Sequence, residues 1–370
     1  MYLRDLRLTQ FKNYQSAAFA FSATVNLVVG LNGSGKTNLL DSIYCLCACK
    51  SYFNHSDSQN IQHQTQFFRL EGNFLLNPNA PTDTENIVFT YTSAKKKDFL
   101  RNQTAYEKLS EHIGLLPVVM IAPDDVELIK EGSEPRRKML DTTLSQLDRD
   151  YLNALIKYNR LLLNRNALLK QFAERNEFNA TLLDTYTVQM IPLGNQIHQK
   201  RQAFCHELTP ILQQYYERLS NGSEEVNCTY KSGLNDTDFA QILAQNIATD
   251  RQQQRTTEGI HRDDLVFSIS QYPLKKYGSQ GQQKSFLIAL KLAIYELIVQ
   301  HTKIKPILLL DDIFDKLDEQ RIEQLLQVTA CQPQKFGQIF ISDTQQARIT
   351  AICAKFGIEN KVFLIVNYKL

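Results

Sequence analysis

Eight consecutive residues, Gly30-Leu31-Asn32-Gly33-Ser34-Gly35-Lys36-Thr37, fit the pattern G-x-x-x-x-G-K-[ST] in full. The pattern has a mechanical meaning. Its glycines let backbone N–H groups turn inward around phosphate oxygens, and the helix that follows presents its positive end to the same anion. Lys36 would reach the β- and γ-phosphates of ATP, Thr37 would ligate Mg²⁺, and Asn38 continues the cradle into the helix. The apolar run Val25-Asn26-Leu27-Val28-Val29 just before the loop supplies the strand from which such a loop springs. A glycine turn that merely caps a helix is the rival reading, and the strand–loop–helix order counts against it.

A second chemical group lies far along the chain, where Lys305-Pro306-Ile307-Leu308-Leu309-Leu310-Asp311-Asp312 is an apolar run ending in two acids. A short run hydrophobic on both faces reads as a buried, parallel-type strand, and ligands sit at the carboxyl ends of such strands. Asp311 is then placed to hold Mg²⁺ and Asp312 to polarise an attacking water, with Lys36 as their partner in catalysis. A buried strand ending in a helix-capping acid pair would look alike, but not beside a phosphate loop. Lys36 and Asp311 are 275 residues apart, so an insertion must interrupt the nucleotide domain between its two motifs. A third segment, Tyr277-Gly278-Ser279-Gln280-Gly281-Gln282-Gln283-Lys284, opens a long helix. Ser279, Gly281 and the helix start offer hydrogen-bond donors to an anion, although serine with glycine is also an ordinary N-cap.

The elements that must carry these groups follow from periodicity. Alternation predicts a strand over 2–8, a strand pair over 17–29 and strands at 67–75 and 87–92, with a turn at 77–81. A helix runs from about Lys36 to Cys49. After Pro123 the chain reads helical to about Asn221. One helix starts at Ser133-Glu134-Pro135, where serine caps and an early proline forfeits no bond. Another covers 151–171, with Tyr151, Leu155, Tyr158, Leu162 and Leu169 on one side. A third spans 179–216 and should break near Pro192-Leu193-Gly194. Strand character returns at 225–230, followed by a helix at 237–254 and a strand at 265–269. The end alternates: helix 282–300, strand 306–310, helix 319–328, strand 338–342, helix 344–355, strand 362–366. The expected organisation is an α/β head over 1–122, a helical arm over 123–222, and the rest of the head over 223–370.

Composition narrows the class. A chain of 370 residues, 43% hydrophobic and 22% charged, can bury a core of more than one lobe and is not disordered. A formal net charge of +2 means that any nucleic-acid surface must be local. The first residues have an acid at Asp5 and no apolar core of signal length, and no 18-residue apolar run occurs, so no membrane is expected. Seven scattered cysteines point to a reducing cytoplasm. Cys45, Cys47 and Cys49 fall on the helix after the phosphate loop and read as core thiols rather than a zinc site, which wants four converging ligands.

Taken in order, the motifs resemble the RecF family, bacterial recombinational-repair ATPases of the ABC/SMC-like class. The matching pieces are Leu6 to Tyr14, Gly30 to Asp41, Pro123-Asp124, Arg136 to Asp141, Tyr158-Asn159-Arg160 through Arg165 to Leu169, Gly259 to Leu265, Ser279 to Lys284, Leu309 to Asp318 and Gln338 to Ser342. They span essentially the whole chain. The resemblance implies an ABC-type ATPase head, a mixed sheet plus N-terminal antiparallel strands, with an inserted α-helical arm. It implies ATP and Mg²⁺ as cofactors, weak ATP hydrolysis used as a switch, and a homodimer formed on ATP binding. In that dimer Ser279, Gln280, Gly281 and Gln282 would cap the γ-phosphate held by the second copy. It further implies binding to double-stranded and to gapped or single-stranded DNA, RecR as partner with RecO and RecA in the pathway, a link to the SOS response, and a nucleoid-associated place in the cytoplasm.

Departures from the class pattern are visible. The D-loop reads Asp315-Lys316-Leu317-Asp318 without its usual serine, so only Asp318 carries over. No histidine follows the strand at 338–342, and Asp343 or Thr344 stands there. Gln64 and Gln66 both qualify as the glutamine that approaches the metal, with Gln66 the choice. His261, Asp263 and Asp264 could form a metal trio but are crowded onto one segment, and a structural or lobe-coupling role fits better. For DNA, Arg136, Arg137, Lys157, Arg160 and Arg165 are the expected contacts, with Lys138, Lys170, Lys200 and Arg201 nearby. They suit a sequence-independent phosphate track, as they would also suit a solvated helix face. Lys95-Lys96-Lys97 reads as an exposed turn. Against the rivals, a transporter subunit would not leave 243 residues between Lys36 and Ser279. An SMC-type tether would need hundreds of residues of heptads. A Toprim relative would need an added acidic metal module.

Overall fold

The computed structural model describes residues 1–77, 83–220, 222, 224–314 and 318–366. It divides into two compact units: Met1–Asp125, Tyr215–Gly222 and Leu287–Leu370 form the first, and Val126–Gln214 with Ser223–Phe286 form the second.

The first unit is built on two sheets. A six-stranded antiparallel sheet has the order β2 (Tyr14–Ala20), β1 (Tyr2–Phe11), β4 (Phe67–Leu75), β5 (Thr84–Thr92), β6 (Lys97–Arg101), β7 (Thr104–Ala105). A five-stranded sheet, parallel at every pairing, has the order β14 (Asn360–Leu364), β3 (Val25–Val29), β13 (Ile339–Asp343), β12 (Ile307–Leu310), β8 (Val118–Ile121). Its strands β3, β13 and β12, and the edge strand β8, are buried at every position, as expected of parallel strands covered on both faces. α1 (Lys36–Ala48) leaves β3 through the glycine loop and is buried all round, including Cys45 and Cys47, with Cys49 buried in left-handed backbone as its C-cap. The apolar core joins α1 to residues of β1, β4, β5, β8 and β12.

The second unit carries α2 (Glu127–Lys130), α3 (Ser133–Leu147), α4 (Arg149–Arg175), most of α5 (Ala180–Ser220), α6 (Phe239–Gln245), α7 (Ile247–Gln253) and α8 (Leu274–Tyr277). It also holds a three-stranded antiparallel sheet of β11 (Tyr272–Pro273), β10 (Asp264–Ile269) and β9 (Val226–Lys231). This corrects the expected domain limits: residues up to Phe286 belong with the helical unit rather than with the head. The reason is pairing, because β9 finds its partner in β10, and Asp264 on β10 accepts both a 2.7 Å and a 2.9 Å bond from the Arg136 guanidinium of α3. α9 (Gln280–Thr302), α10 (Glu319–Val328) and α11 (Gln346–Lys355) complete the helices. α9 has the length and apolarity of a membrane span, but most of it is buried within the protein.

Two further expectations are corrected. α5 runs unbroken for 41 residues through Pro192 and Pro210. Gly194 marks a close approach there, not a stop: a Cβ on it would lie 2.4 Å from the Phe239 ring of α6. The single helix expected at 237–254 is two, separated at Asn246, whose φ of −96° and ψ of 3° leave the helical region. The turn expected at 77–81 lies mostly outside the described residues.

α4 explains why some of its cations are not at the surface. Its buried positions are Tyr151, Ala154, Leu155, Tyr158, Arg165, Leu168, Leu169 and Phe172, so Arg165 sits on the apolar stripe, seven residues after Tyr158. Its guanidinium donates to Asp250 Oδ2 and to the Thr256 hydroxyl, both at 2.7 Å, and the pair is fully buried. Removing one partner from such a pair strands the other charge, which costs about 3–5 kcal/mol. Asp250→Ala should therefore lower the urea midpoint, followed by far-ultraviolet circular dichroism, by that equivalent, while Lys157→Ala on the exposed side of α4 should stay within about 0.5 kcal/mol.

Candidate functional site

The phosphate loop is a cradle held from outside. Gly33 and Gly35 have φ of 76° and 112°, left-handed backbone that side chains disfavour. Lys36 is 5% exposed and its Nζ donates to the carbonyls of Gly30 (2.9 Å) and Leu31 (3.0 Å), folding over the loop it serves. The turn between β1 and β2 clamps the other side. The Asn13 amide donates to Ser34 O (2.9 Å) and accepts from the Asn38 amide (2.7 Å), while the Tyr14 hydroxyl donates to Gly35 O (3.0 Å). A Cβ at Gly35 would stand 2.5 Å from the Asn13 side chain, so this glycine is needed for space as well as for φ. Behind the turn, Lys12 pairs at 2.5 Å with Asp41 of α1, a fully buried carboxylate that also accepts from the Ser51 hydroxyl (2.6 Å) and Tyr52 N–H (2.8 Å).

β12 leads into Asp311, which meets this loop. Asp311 is 2% exposed, and the Thr37 hydroxyl lies 2.9 and 3.1 Å from its two oxygens. The Ser342 hydroxyl from the end of β13 donates to it at 2.7 Å. Burial raises the Asp311 pKa; the hydroxyls of Ser342 and Thr37 oppose the rise, and the Asp312 charge adds to it. A buried carboxylate whose partners are neutral hydroxyls, with a threonine oxygen beside it, is a donor set for a hard divalent cation such as Mg²⁺. Asp312 has φ of 47°, and its N–H donates to Ser342 Oγ at 2.8 Å. Non-glycine residues in that region are uncommon and gather at functional sites.

Neither glutamine offered for the metal is buried. Gln66 is exposed at the foot of β4, where its carbonyl accepts from Ser93, and Gln64 is exposed with φ of 67°. Gln62, by contrast, is 7% exposed and lines a cavity of about 730 Å³ with Asn13, Ser34 and Ile365. Its N–H is anchored on Gln10 O at 2.9 Å. It lies in an irregular stretch with no periodic signal, which is why the sequence alone did not single it out. Asp343, offered as a substitute for the missing histidine, is 1% exposed and ion-paired with Arg348 at 3.1 Å. Its carbonyl accepts from Gly30 N–H at 3.3 Å, so it braces the loop from β13.

Ser279, Gln280, Gly281 and Gln282 lie in the second unit. Ser279 and Gln282 form a reciprocal capping box: Ser279 N–H donates to Gln282 Oε1 (2.7 Å) and Gln282 N–H to Ser279 Oγ (3.2 Å). The cap uses Ser279 Oγ as an acceptor, which leaves its proton available to an anion. Gln282 is further fixed by Glu224 at 2.6 Å. Asp318 caps α10, accepting from Arg321 N–H at 2.9 Å, and residues 315–317 of the expected D-loop lie outside the described residues.

The expected DNA track is thinned by burial. Arg136, Arg165 and Arg201 are interior ion-pair donors, to Asp264, Asp250, and Asp141 with Asp263 respectively. Arg137 is half-buried, bonded to the Ser133 hydroxyl and to Asp263 O. Lys157, Arg160, Lys138 and Lys170 remain exposed. The segment of His261, Asp263 and Asp264 is structural. Burial holds the His261 imidazole neutral, with its pKa down at about 4, between the Tyr158 hydroxyl (3.2 Å) and Thr256 O (3.1 Å). Its acids neutralise the arm's arginines.

Comparison with known proteins places this geometry. The family described as "RecF/RecN/SMC N terminal domain" matches residues 2–361. "DNA replication and repair protein RecF" of Flavobacterium johnsoniae is 45% identical over 98% of this chain and 99% of its own. The protein so named from Cytophaga hutchinsonii is 43% identical over 100% and 96%. Among solved structures, the recombination mediator protein RecF-ATPrS of the RecFOR pathway has a TM-score of 0.87 at 28% identity, covering 99% of this chain and 96% of that one. The Smc head domain of Pyrococcus furiosus has a TM-score of 0.54 at 16% identity over 95% and 91%, a likeness of fold alone.

Two outcomes follow from the geometry. Gly35→Ala forces a side chain into left-handed backbone, at about 1–2 kcal/mol, and against Asn13. Titration calorimetry with ATP should show binding weakened by at least tenfold. A buried acid with a raised pKa contributes stability below its unfolded value of 3.8 and loses it as pH rises through the folded pKa. Asp311→Asn should therefore leave the melting temperature at pH 7 unchanged or higher, and remove the extra stabilisation that Mg²⁺ adds to ATP.

Proposed function

This chain belongs to the RecF family of DNA replication and repair proteins, and from that premise we propose that it is an ATP-driven switch that closes on DNA. The observation that carries the reading is the meeting of Thr37 with Asp311 under a glycine cradle, two motifs 274 residues apart brought into one hydrogen bond. ATP binds over Gly30–Asn38, with Lys36 released from its loop carbonyls to the β- and γ-phosphates. Thr37 and Asp311 hold Mg²⁺, which supplies charge neutralisation on the phosphates, and Gln62 rather than Gln66 faces the nucleotide from its cavity. Asp312 orients the water for a slow hydrolysis.

Two copies close head to tail, and the capping box at Ser279 of each is offered to the γ-phosphate of the other, with Gly281 leaving room for the anion. Asp318 contributes at the same seam. Closure lays exposed cations, Lys157 and Arg160 foremost, along double-stranded, gapped or junction DNA. That the similar RecF-ATPrS structure belongs to a RecFOR pathway supports RecR, with RecO, as partners; RecA loading and the SOS response lie downstream of them, in the nucleoid of the cytoplasm.

Lys36→Ala should weaken ATP binding by roughly 10–100-fold, the worth of a charge-assisted bond to phosphate. Ser279→Ala should bind ATP normally but sediment as a monomer with ATP, where the parent sediments as a dimer. A serine variant that still dimerised with ATP would rule out the composite site.

A further inference from the structure

Seven residues upstream of the capping box, the second unit presents an aromatic pair to solvent. Tyr272 and Tyr277 are 59% and 56% exposed, the two tyrosines among the large hydrophobic side chains described as exposed. Their rings stand 5.1 Å apart at 51°. Lys275 and Lys276 lie between them in sequence, both exposed, and Lys276 Nζ is 5.4 Å from the Tyr277 ring centroid. No aspartate or glutamate occurs from Leu265 to Tyr295. Folding brings acids to the neighbourhood from other segments: α2, which carries Glu127, packs against α8, Glu224 accepts from Gln282, and the Glu225 carbonyl accepts from Ser270.

The platform is rigidly mounted. Ser270 and Gln271, with φ of 46° and 69°, form the tight primed turn that joins β10 to β11 and projects Tyr272. Leu274 is fully buried and anchors the single turn α8. Gly278 N–H donates back to Leu274 O at 3.0 Å, and a Cβ on Gly278 would lie 2.7 Å from the Leu274 side chain. The Gln283 amide closes the loop on Gly278 O at 3.0 Å. Exposed tyrosines on so fixed a backbone are not hinge or core residues. Interleaved aromatics and lysines with no acid among them in sequence are the composition that stacks unpaired bases while binding their phosphates.

We propose that Tyr272 and Tyr277 form a stacking platform for an unpaired nucleobase, with Lys275 and Lys276 on the flanking phosphates. Single-stranded DNA is its ligand. The inference rests on the reading of the chain as a DNA-binding switch and adds the place where a gap is distinguished from an intact duplex. A single aromatic contact is sequence-tolerant, so the platform reads the absence of pairing and not the base.

The chain has no tryptophan, so Tyr277→Trp introduces at the platform a sole tryptophan, whose emission can be excited apart from that of the tyrosines. With ATP and Mg²⁺ present, oligo(dT) and a gapped duplex should quench its emission, and a blunt duplex should not. Tyr272→Ala with Tyr277→Ala should weaken oligo(dT) and gapped-duplex binding by about tenfold and leave blunt-duplex binding within twofold. Tyr272→Phe with Tyr277→Phe should restore the parent affinities. Equal quenching by blunt duplex, or an alanine pair that binds oligo(dT) as well as the parent, would overturn the proposal while leaving the switch intact. A parent protein that binds none of the three DNAs with ATP would overturn both.

Discussion

Everything in the first unit answers to one buried negative charge. Asp311 sits at the carboxyl end of a strand with no exposed position, so its ionised form is disfavoured by the medium around it. The fold tolerates this by supplying hydroxyls from two other segments, Thr37 at the start of α1 and Ser342 at the end of β13. Those hydroxyls hold the carboxylate in place without neutralising it. A site organised in this way is poised for a cation, and the cost of the bare charge is part of what the cation relieves.

The same site depends on the antiparallel sheet, whose contribution is geometric. Asn13 and Tyr14 at the tip of the first hairpin bond three residues around the loop, and the Lys12–Asp41 pair pins the hairpin to α1. With Asp343 bracing Gly30 from the parallel sheet, the cradle is held before any phosphate arrives, so little ordering entropy remains to oppose binding. Lys36 is the part that must move, two of its three donors held meanwhile by loop carbonyls.

Much of this was legible from residue order. The loop pattern, the apolar run before Asp311 and the strand–helix alternation at the chain's end each rest on local rules, and each element stands within a few residues of its expected place. What local rules could not resolve was burial of charge. Arg136, Arg165 and Arg201 look like surface cations until Asp264, Asp250 and Asp263 arrive from distant segments to pair with them. For Arg165 the helical period did hold the signal, since it shares a stripe with Tyr158 and Leu169, but its charge outweighed its position. Pro192 misled in the opposite direction. Proline costs a helix one bond locally, and here packing around Gly194 and Phe239 keeps the helix continuous. Gln62 had no pattern to betray it, because it is placed by the return of the chain past β1.

The order of strands in the parallel sheet also bears on how the chain is made. β3, which carries the phosphate loop, is flanked by β13 and β14, and both follow it by more than 300 residues (Ile339 against Val29). A nascent chain emerging from the ribosome therefore holds its phosphate loop without a neighbouring strand until those segments are made. The loop acquires its partner Asp311, and its bracing at Asp343, only then. Nucleotide binding thus waits on residues far along the chain, and a fragment that stops before them carries the motif without the site.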